Sequence, residues 1–426
     1  MTLVICSALL LVLAFLGTPL FAIIVAAAML GFYFADIDLI VVIIELYRIV
    51  DTPLLLALPL FTFAGYLLAE SNTSHRLVRA TQALIGWLPG GLAVVAYCTC
   101  AFFTAFTGAS GITIVAIGAL LLPALTEAGY QEKFSLGLVT TSGSLGLLLA
   151  PSLPLILYGI IVQQMNLEQT VEIKDLFIAG IAPALLMIVL LSTWTLWHNR
   201  KHPIPLQAFS KDEAIAALRE VIWEVPLPFV VLGGIYTGFF AVSEAAAVTA
   251  TYLLVIEVLI YREIPIRKLP KIMSESMVMV GGILLILGVS LAFTNFLIDA
   301  EVPMQIFALI QSVVGDKYSF LILLNIILLL LGAILDIFSA LVIMVPLIVP
   351  VAMQYGIHPV HLGIIFLANM QIGYFTPPVG MNLFIASYRF KKPITELYQA
   401  SLPFMLVLLV ALIIITYWPA LSLWNL

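Results

Sequence analysis

The sequence predicts an all-α polytopic membrane protein, and three observations carry that reading. Only 9% of the 426 residues are charged, 63% are hydrophobic, and the mean hydropathy is +1.19. A soluble domain carries about 25% charged and roughly 45–50% apolar residues, so this chain lacks the polar surface to cover a water-facing body. Its apolar residues fall in blocks at about 3–17, 19–35, 53–69, 91–106, 134–149, 151–165, 176–197, 225–260, 271–298, 318–335, 360–375 and 401–424. At about 20 residues per spanning helix, up to about 12–14 membrane segments fit. Finally, the blocks lack the ten-residue alternation of transmembrane β-strands.

Taken in order, Met1-Thr2-Leu3-Val4 has no basic stretch before its apolar run and reads as a retained first helix, not a cleaved signal. The amphipathic pieces Arg76–Trp87 and Ile204–Trp223 are expected to lie along the membrane interface. Trp87, Trp194, Trp197, Trp223 and Trp418 fall near block ends, as belt residues do. Basic clusters at Arg76/Arg79, Arg200/Lys201, Arg262/Arg267/Lys268/Lys271 and Arg389/Lys391/Lys392 mark candidate cytoplasmic loops. Cys6, Cys98 and Cys100 sit in apolar runs without metal or redox spacing. A net charge of −6 leaves no basic face for nucleic acid.

The gaps between charges are more informative. Arg79 to Glu127 and Lys133 to Glu168 are charge-free, and between Lys317 and Arg389 the one charge is Asp336. These stretches are too long for one helix each and are interrupted by Gly, Ser, Thr, Asn and Pro, the pattern of helices broken inside the membrane.

A constant offset of 227 carries Pro123 onto Pro350, Gly129 onto Gly356, Gly146 onto Gly373 and Pro151 onto Pro378. The expected organisation is a single membrane unit, 1–426, with repeats at about 1–200 and 225–426 and hairpins at about 104–130 and 331–357. Equivalent loops carry opposite charge. Arg76 and Arg79 fall beside Asp299 and Glu301, and Arg389 to Lys392 fall just before Glu168 and Glu172. Inverted repeats with broken helices point to a secondary transporter with a midplane site.

Thr107, Gly108, Ser110 and Gly111 precede an apolar run, Ile112–Leu125, too short to span the bilayer. A re-entrant hairpin fits, and carbonyls freed at its turn suit a hard cation such as Na⁺; close packing by small residues is the alternative. Ser142, Gly143 and Ser144 lead to Pro151, Ser152 and Pro154, which predict an interruption near 149–154; a plain proline kink is the alternative. The second half repeats the device. Asp336 and Ser339 open another short run, followed by Asn369, Gln371, Gly373, Thr376, Pro377, Pro378, Gly380 and Asn382. A carboxylate at membrane depth is costly and usually functional, but Asp336 also suits a helix N-cap. Glu244 reads as a second buried acid or a cap. The phosphate loop GxxxxGK[ST] is missing from the sequence, so ATP hydrolysis by this chain is excluded. Ser/His/Asp and metalloprotease patterns are missing as well, so the chain is read as a transporter, not an enzyme.

On these residues the chain resembles the large membrane (M) subunit of tripartite ATP-independent periplasmic, or TRAP, transporters. The matching stretches include Pro59-Leu60-Phe61, Ala64-Gly65, Gly86 to Ala93, Thr107 to Gly111, Pro151 to Pro154, Gly233 to Tyr236, Glu244 to Ala247, Pro359 to Ile364 and Thr376 to Asn382. Ala150 departs from it, standing where many relatives have a second proline. The resemblance implies a multi-pass protein of the bacterial inner membrane with an elevator mechanism and Na⁺ as the coupling ion. It further implies a separate four-helix membrane partner, a periplasmic binding protein and an organic acid as substrate. Na⁺ sites are implied at Thr107–Gly111 with Ser142–Ser144, and at Asp336–Ser339 with Gly373–Gly380. No further cofactor is expected. A one-component Na⁺/dicarboxylate symporter is the alternative. A lipid-modifying membrane enzyme would need an acidic or histidine cluster that the sequence does not offer. Neither predicted hairpin contains Arg or Lys, so carboxylate capture is expected from helix N-termini and backbone amides.

Overall fold

The computed structural model describes residues 6–424 apart from 7, 11, 14–15, 49–51, 89, 166, 168 and 201–208. Most of the expected first block at 3–17, together with Pro89, Glu168, Lys201 and the start of the piece at Ile204, therefore lies outside the described residues or beside gaps in them. The rest is helical. From Leu20 onward the helices are α1 (Leu20–Phe34), α2 (Ile40–Arg48), α3 (Ala57–Glu70), α4 (Thr73–Ile85) and α5 (Gly91–Thr107). Next come α6 (Ser110–Ala116), α7 (Gly118–Glu127), α8 (Glu132–Ser142), α9 (Leu153–Gln164) and α10 (Ile173–Asn199). The connection to the second half contains α11 (Lys211–Glu220), α12 (Pro226–Tyr236) and α13 (Val242–Leu254). The remainder is α14 (Leu269–Asp299), α15 (Val302–Val313), α16 (Lys317–Ile334), α17 (Ile337–Gln354), α18 (Pro359–Gly373), α19 (Met381–Phe390) and α20 (Ile394–Tyr417).

Among the described residues, eight helical stretches are long and apolar enough to cross a membrane, nine if α6 and α7 count as one bent span. The count falls below that of the apolar blocks because several blocks end early. Gly108 stops α5 and the turn after Gly373 stops α18, leaving helices of 17 and 15 residues.

The helix boundaries keep the 227 interval. Shifted by it, α5 falls on α16, α6–α7 on α17, α8 on α18, α9 on α19 and α4 on α15, within a few residues. The two cis peptides, Ala150-Pro151 and Pro377-Pro378, obey it as well. One difference between the halves is a bend of 49° between α6 and α7, where α17 is continuous despite Pro346 and Pro350.

The centre of the molecule is made from the interrupted helices. The most apolar stretch of Glu132–Gln164 is 94% buried, and every residue of α18 is buried. The other long apolar helices bury only about a third to a half of theirs, as expected of helices with one face toward lipid. Close approach is enforced by glycine. A Cβ on Gly180 would lie 1.9 Å from the Leu148 carbonyl oxygen, and one on Gly146 would lie 2.0 Å from that of Ala101.

The amphipathic segment at Arg76 packs against the rest of the protein through a buried ion cluster. Arg76 is buried, and its guanidinium meets three carboxylates. Nε donates to Glu224 at 2.6 Å, Nη2 lies 3.3 Å from Glu257, and Nη1 pairs with Glu263. Thr73 also donates to Glu257, and the Tyr261 ring lies 4.0 Å from the Arg76 Cζ. The cluster ties α4 to the link between α11 and α12 through Glu224, and to the segment that leads from α13 into α14 through Glu257 and Glu263. Arg79 holds α11 through Glu213 and Glu220. Trp194 stacks on Phe134 and His198, so it is packed against protein. Glu244 is exposed and accepts from the Ala241 amide at 2.9 Å, so it caps α13 and is not a buried acid.

Candidate functional site

Two turns define the site. The first joins α5 to α6 through Gly108 and Ala109; the second joins α16 to α17 through Leu335 and Asp336. Both open into one cavity of about 560 Å³, whose wall also takes Tyr66 and Glu70 from α3, Glu275 and Met279 from α14, Tyr374, and Ile385 from α19. Residues more than 220 positions apart in sequence therefore face the same space.

Gly108 has φ +65°, a conformation an L side chain rarely adopts, and a Cβ there would lie 2.6 Å from Leu153. The first turn thus abuts the start of α9. The helix interruption opposite it is longer than the sequence suggested. Helix α8 already ends at Ser142, a tight turn spans Leu145–Leu148, and α9 begins only at Leu153. Gly143 contributes its carbonyl to Thr104 at 2.8 Å, and Ser142 and Ser144 bond back to the carbonyls of Val139 and Thr141. Gly111 packs on Ile385.

Two buried hydroxyls in this region are left over. Thr107 Oγ1 and Ser152 Oγ are fully buried, and neither has a hydrogen-bond partner among the described residues. A buried hydroxyl without a partner costs about 1–3 kcal/mol, so such groups call for an occupant or a role.

In the second half, Asp336 is the N-cap of α17. Its Oδ1 accepts from the amides of Phe338 and Ser339, each at 3.0 Å, and its Oδ2 accepts from the Ser339 hydroxyl. It also lines the cavity, so capping and site membership coincide in one residue. Gly373 sits backbone to backbone on Gly332, and the Gly380 amide donates to Ala333 at 2.9 Å. Thr376 bonds back to Ile372, and the Pro378 carbonyl, beyond Pro377, accepts from Tyr398. The structure moves two expected members of this group. Asn382 belongs to the first turn: it accepts from the Ser110 hydroxyl at 2.7 Å and its amide reaches the Thr140 carbonyl at 3.4 Å. Asn369 donates to Asn325 at 2.7 Å in a polar chain that continues to Thr416, between α16, α18 and α20. The side-chain carbonyl oxygens of Asn369 and Gln371 have no partner among the described residues.

Comparison with known proteins adds the decisive observation. The profile of the family described as "Tripartite ATP-independent periplasmic transporter, DctM component" matches residues 5–421. The chain belongs to this DctM family. It is 34% identical to the C4-dicarboxylate TRAP transporter large permease protein DctM of Pseudomonas aeruginosa, covering 89% of this chain and 88% of that one. It is 30% identical to the ectoine/5-hydroxyectoine large permease protein UehC of Ruegeria pomeroyi, covering 97% and 96%. It is 33% identical to the isethionate permease protein DctMQ of Oleidesulfovibrio alaskensis, covering 87% of this chain and 58% of that one. Among solved structures, the Alcanivorax borkumensis YdaH transporter shares the fold, with TM-score 0.54 and 17% identity, covering 88% and 89%.

Sequence reasoning about this DctM component missed three groups. Tyr374 accepts from the Ile337 amide at 2.8 Å and so supports the second turn from α18. Glu70 and Glu275 enter the cavity from helices not suspected of a role. Arg389 reaches the carbonyl of Val115 in α6 at 3.2 Å, although neither predicted hairpin contains a basic residue. The family membership makes the chain a multi-pass transporter permease component.

Proposed function

We propose that this chain is the membrane-embedded subunit of a Na⁺-driven importer of an organic acid, working by an elevator motion in the bacterial inner membrane. A separate small four-helix subunit and a periplasmic binding protein that delivers the acid complete the machine. The observation that carries the Na⁺ reading is the pair of fully buried hydroxyls, Thr107 beside the first turn and Ser152 in the facing helix interruption, that have no partner among the described residues. Hydroxyl and carbonyl oxygens are the donors a hard cation takes, and backbone that leaves the helical ladder at membrane depth survives where it lines such a site. Thr107, Gly108, Ser142, Gly143, Ser144 and Ser152 would hold one ion. Asp336, Ser339, Gly373, Thr376 and Gly380 would serve the second turn. The ion supplies the coupling to the gradient; the chain supplies the oxygens, the cavity and the two turns that close on the cargo.

The relatives named for C4-dicarboxylates, isethionate and ectoines bracket the cargo as a small organic acid or zwitterion. The relative named DctMQ supports a small membrane partner. The test is uptake into liposomes that hold this chain with its small partner, under an inward Na⁺ gradient, with and without a periplasmic binding protein. Uptake that needs both supports the reading. Uptake with Na⁺ alone would support a one-component symporter instead.

A further inference from the structure

The cavity at the two turns has three carboxylates in its wall, Glu70, Glu275 and Asp336. Each is already answered. Lys268 pairs with Glu70, Lys271 lies 3.7 Å from Glu275, and Asp336 is taken up by the amides at the start of α17. One cation just outside that wall, bonded to a residue that lines it, is not. Arg389 Nε donates to the carbonyl oxygen of Val115, a cavity-lining residue, at 3.2 Å. It stands one helical turn beyond Ile385, which also lines the cavity. Among the described residues Arg389 enters no ion pair, and its side chain is exposed.

The chemistry of that placement is specific. The Val115 carbonyl uses one of five guanidinium N–H groups, leaving the terminal pair of amino groups available. A guanidinium held this way matches the two oxygens of a carboxylate, or two of a sulfonate, in a bidentate pair. The wall around it is apolar, with Val115, Ile112 and Ile385 at hand for a carbon skeleton.

We infer that Arg389 receives the acid group of the cargo at the mouth of this cavity and selects anionic cargo over cations. The inference rests on the reading of the chain as an organic-acid importer. The competing role is purely structural: Arg389 bonds beside the 49° bend between α6 and α7 and could serve only to brace it.

The test needs neither cargo nor Na⁺, so it reports on Arg389 whether or not uptake is found. In the full chain with Cys6, Cys98 and Cys100 replaced by alanine, Val115→Cys places a thiol at the cavity wall. Its modification rate is measured with methanethiosulfonates carrying a sulfonate, a trimethylammonium or only a methyl group. A unit charge about 7 Å away in a water-like medium changes the local concentration of each charged reagent by about threefold, in opposite senses. Arg389→Gln should therefore lower the sulfonate-to-ammonium rate ratio about tenfold and leave the methyl reagent unchanged. Arg389→Lys should keep most of the ratio. A ratio unmoved by Arg389→Gln would overturn the inference. So would equal changes for all three reagents, which would mean that the substitution alters access to position 115 and that the Arg389 charge is not felt there.

Discussion

The Ser144 hydroxyl donates to the backbone carbonyl of Gln371 at 3.2 Å, and the two residues are 227 positions apart, the interval that relates the helices of the two halves. A residue that touches its own equivalent lies beside the axis relating the halves. The interrupted helices therefore meet at the centre of the pseudo-symmetry, where both are almost wholly buried. This contact also explains why glycine stands at 146 and 373. Each permits backbone approach next to the axis, Gly146 to Ala101 and Gly373 to Gly332.

The glycine approach gives the first prediction. Gly180→Ala would push a methyl group into the Leu148 carbonyl, which cannot move without disturbing the buried interruption. It should lower stability by about 1–3 kcal/mol or more, the usual range for overpacking, read as a drop in detergent melting temperature. Gly281→Ala, in a helix with open space around the new carbon, should be neutral or slightly stabilising. Equal effects at both sites would refute the packing argument.

The buried cluster at Arg76 gives an asymmetric pair. Arg76→Gln leaves Glu224, Glu257 and Glu263 facing one another without a cation. Loss of one partner of a buried ion pair costs about 3–5 kcal/mol, so this variant should be poorly folded in detergent. Glu257→Gln removes one of three carboxylates around one guanidinium and should be neutral or stabilising. Size-exclusion profiles and melting curves of the two variants decide it.

The elevator reading predicts a state-dependent cross-link. Ser290 donates to the Val342 carbonyl at 3.0 Å, closing α14 onto α17. The positions 227 earlier are Phe63 and Val115, and Val115 instead lines the cavity. In a chain stripped of its native cysteines, the Ser290→Cys/Val342→Cys pair should oxidise readily and stop uptake. Phe63→Cys/Val115→Cys should oxidise only while transport conditions drive the exchange. Equal oxidation of both pairs at rest would count against such an exchange.

The Ser110–Asn382 bond also links the two halves, 2.7 Å long and buried. Asn382→Asp should impair uptake more than Asn382→Gln, because it places an unpaired charge against the first turn and discards the amide that reaches Thr140. Initial uptake rates of the two variants, normalised to protein in the membrane, provide the comparison.

Much of the architecture was readable from pattern alone. Charge-free stretches broken by Gly, Ser and Pro located both interruptions, because backbone that leaves the helix inside a membrane needs those residues. Asp336 beside Ser339 signalled a cap, and the structure makes it one at the cavity wall. What the sequence hid is long-range. Asn382 sits in the second half yet bonds Ser110 at the first turn, Arg389 bonds α6 from 274 residues away, and Tyr374 supports the second turn from 37 residues away. Glu70 and Glu275 look like ordinary helix-end acids until α3 and α14 are brought to one cavity. The buried Arg76 cluster was hidden for the same reason: each of its carboxylates is at least 148 residues from the arginine.

The most direct test of the account is whether purified chain binds Na⁺ at the first turn. Melting temperature in detergent should rise with NaCl but not with KCl or choline chloride at equal ionic strength. Thr107→Val and Ser152→Ala should each shift the Na⁺ concentration of half-effect upward at least several-fold. A wild-type chain that melts identically in all three salts would contradict the claim that these buried hydroxyls hold the coupling ion.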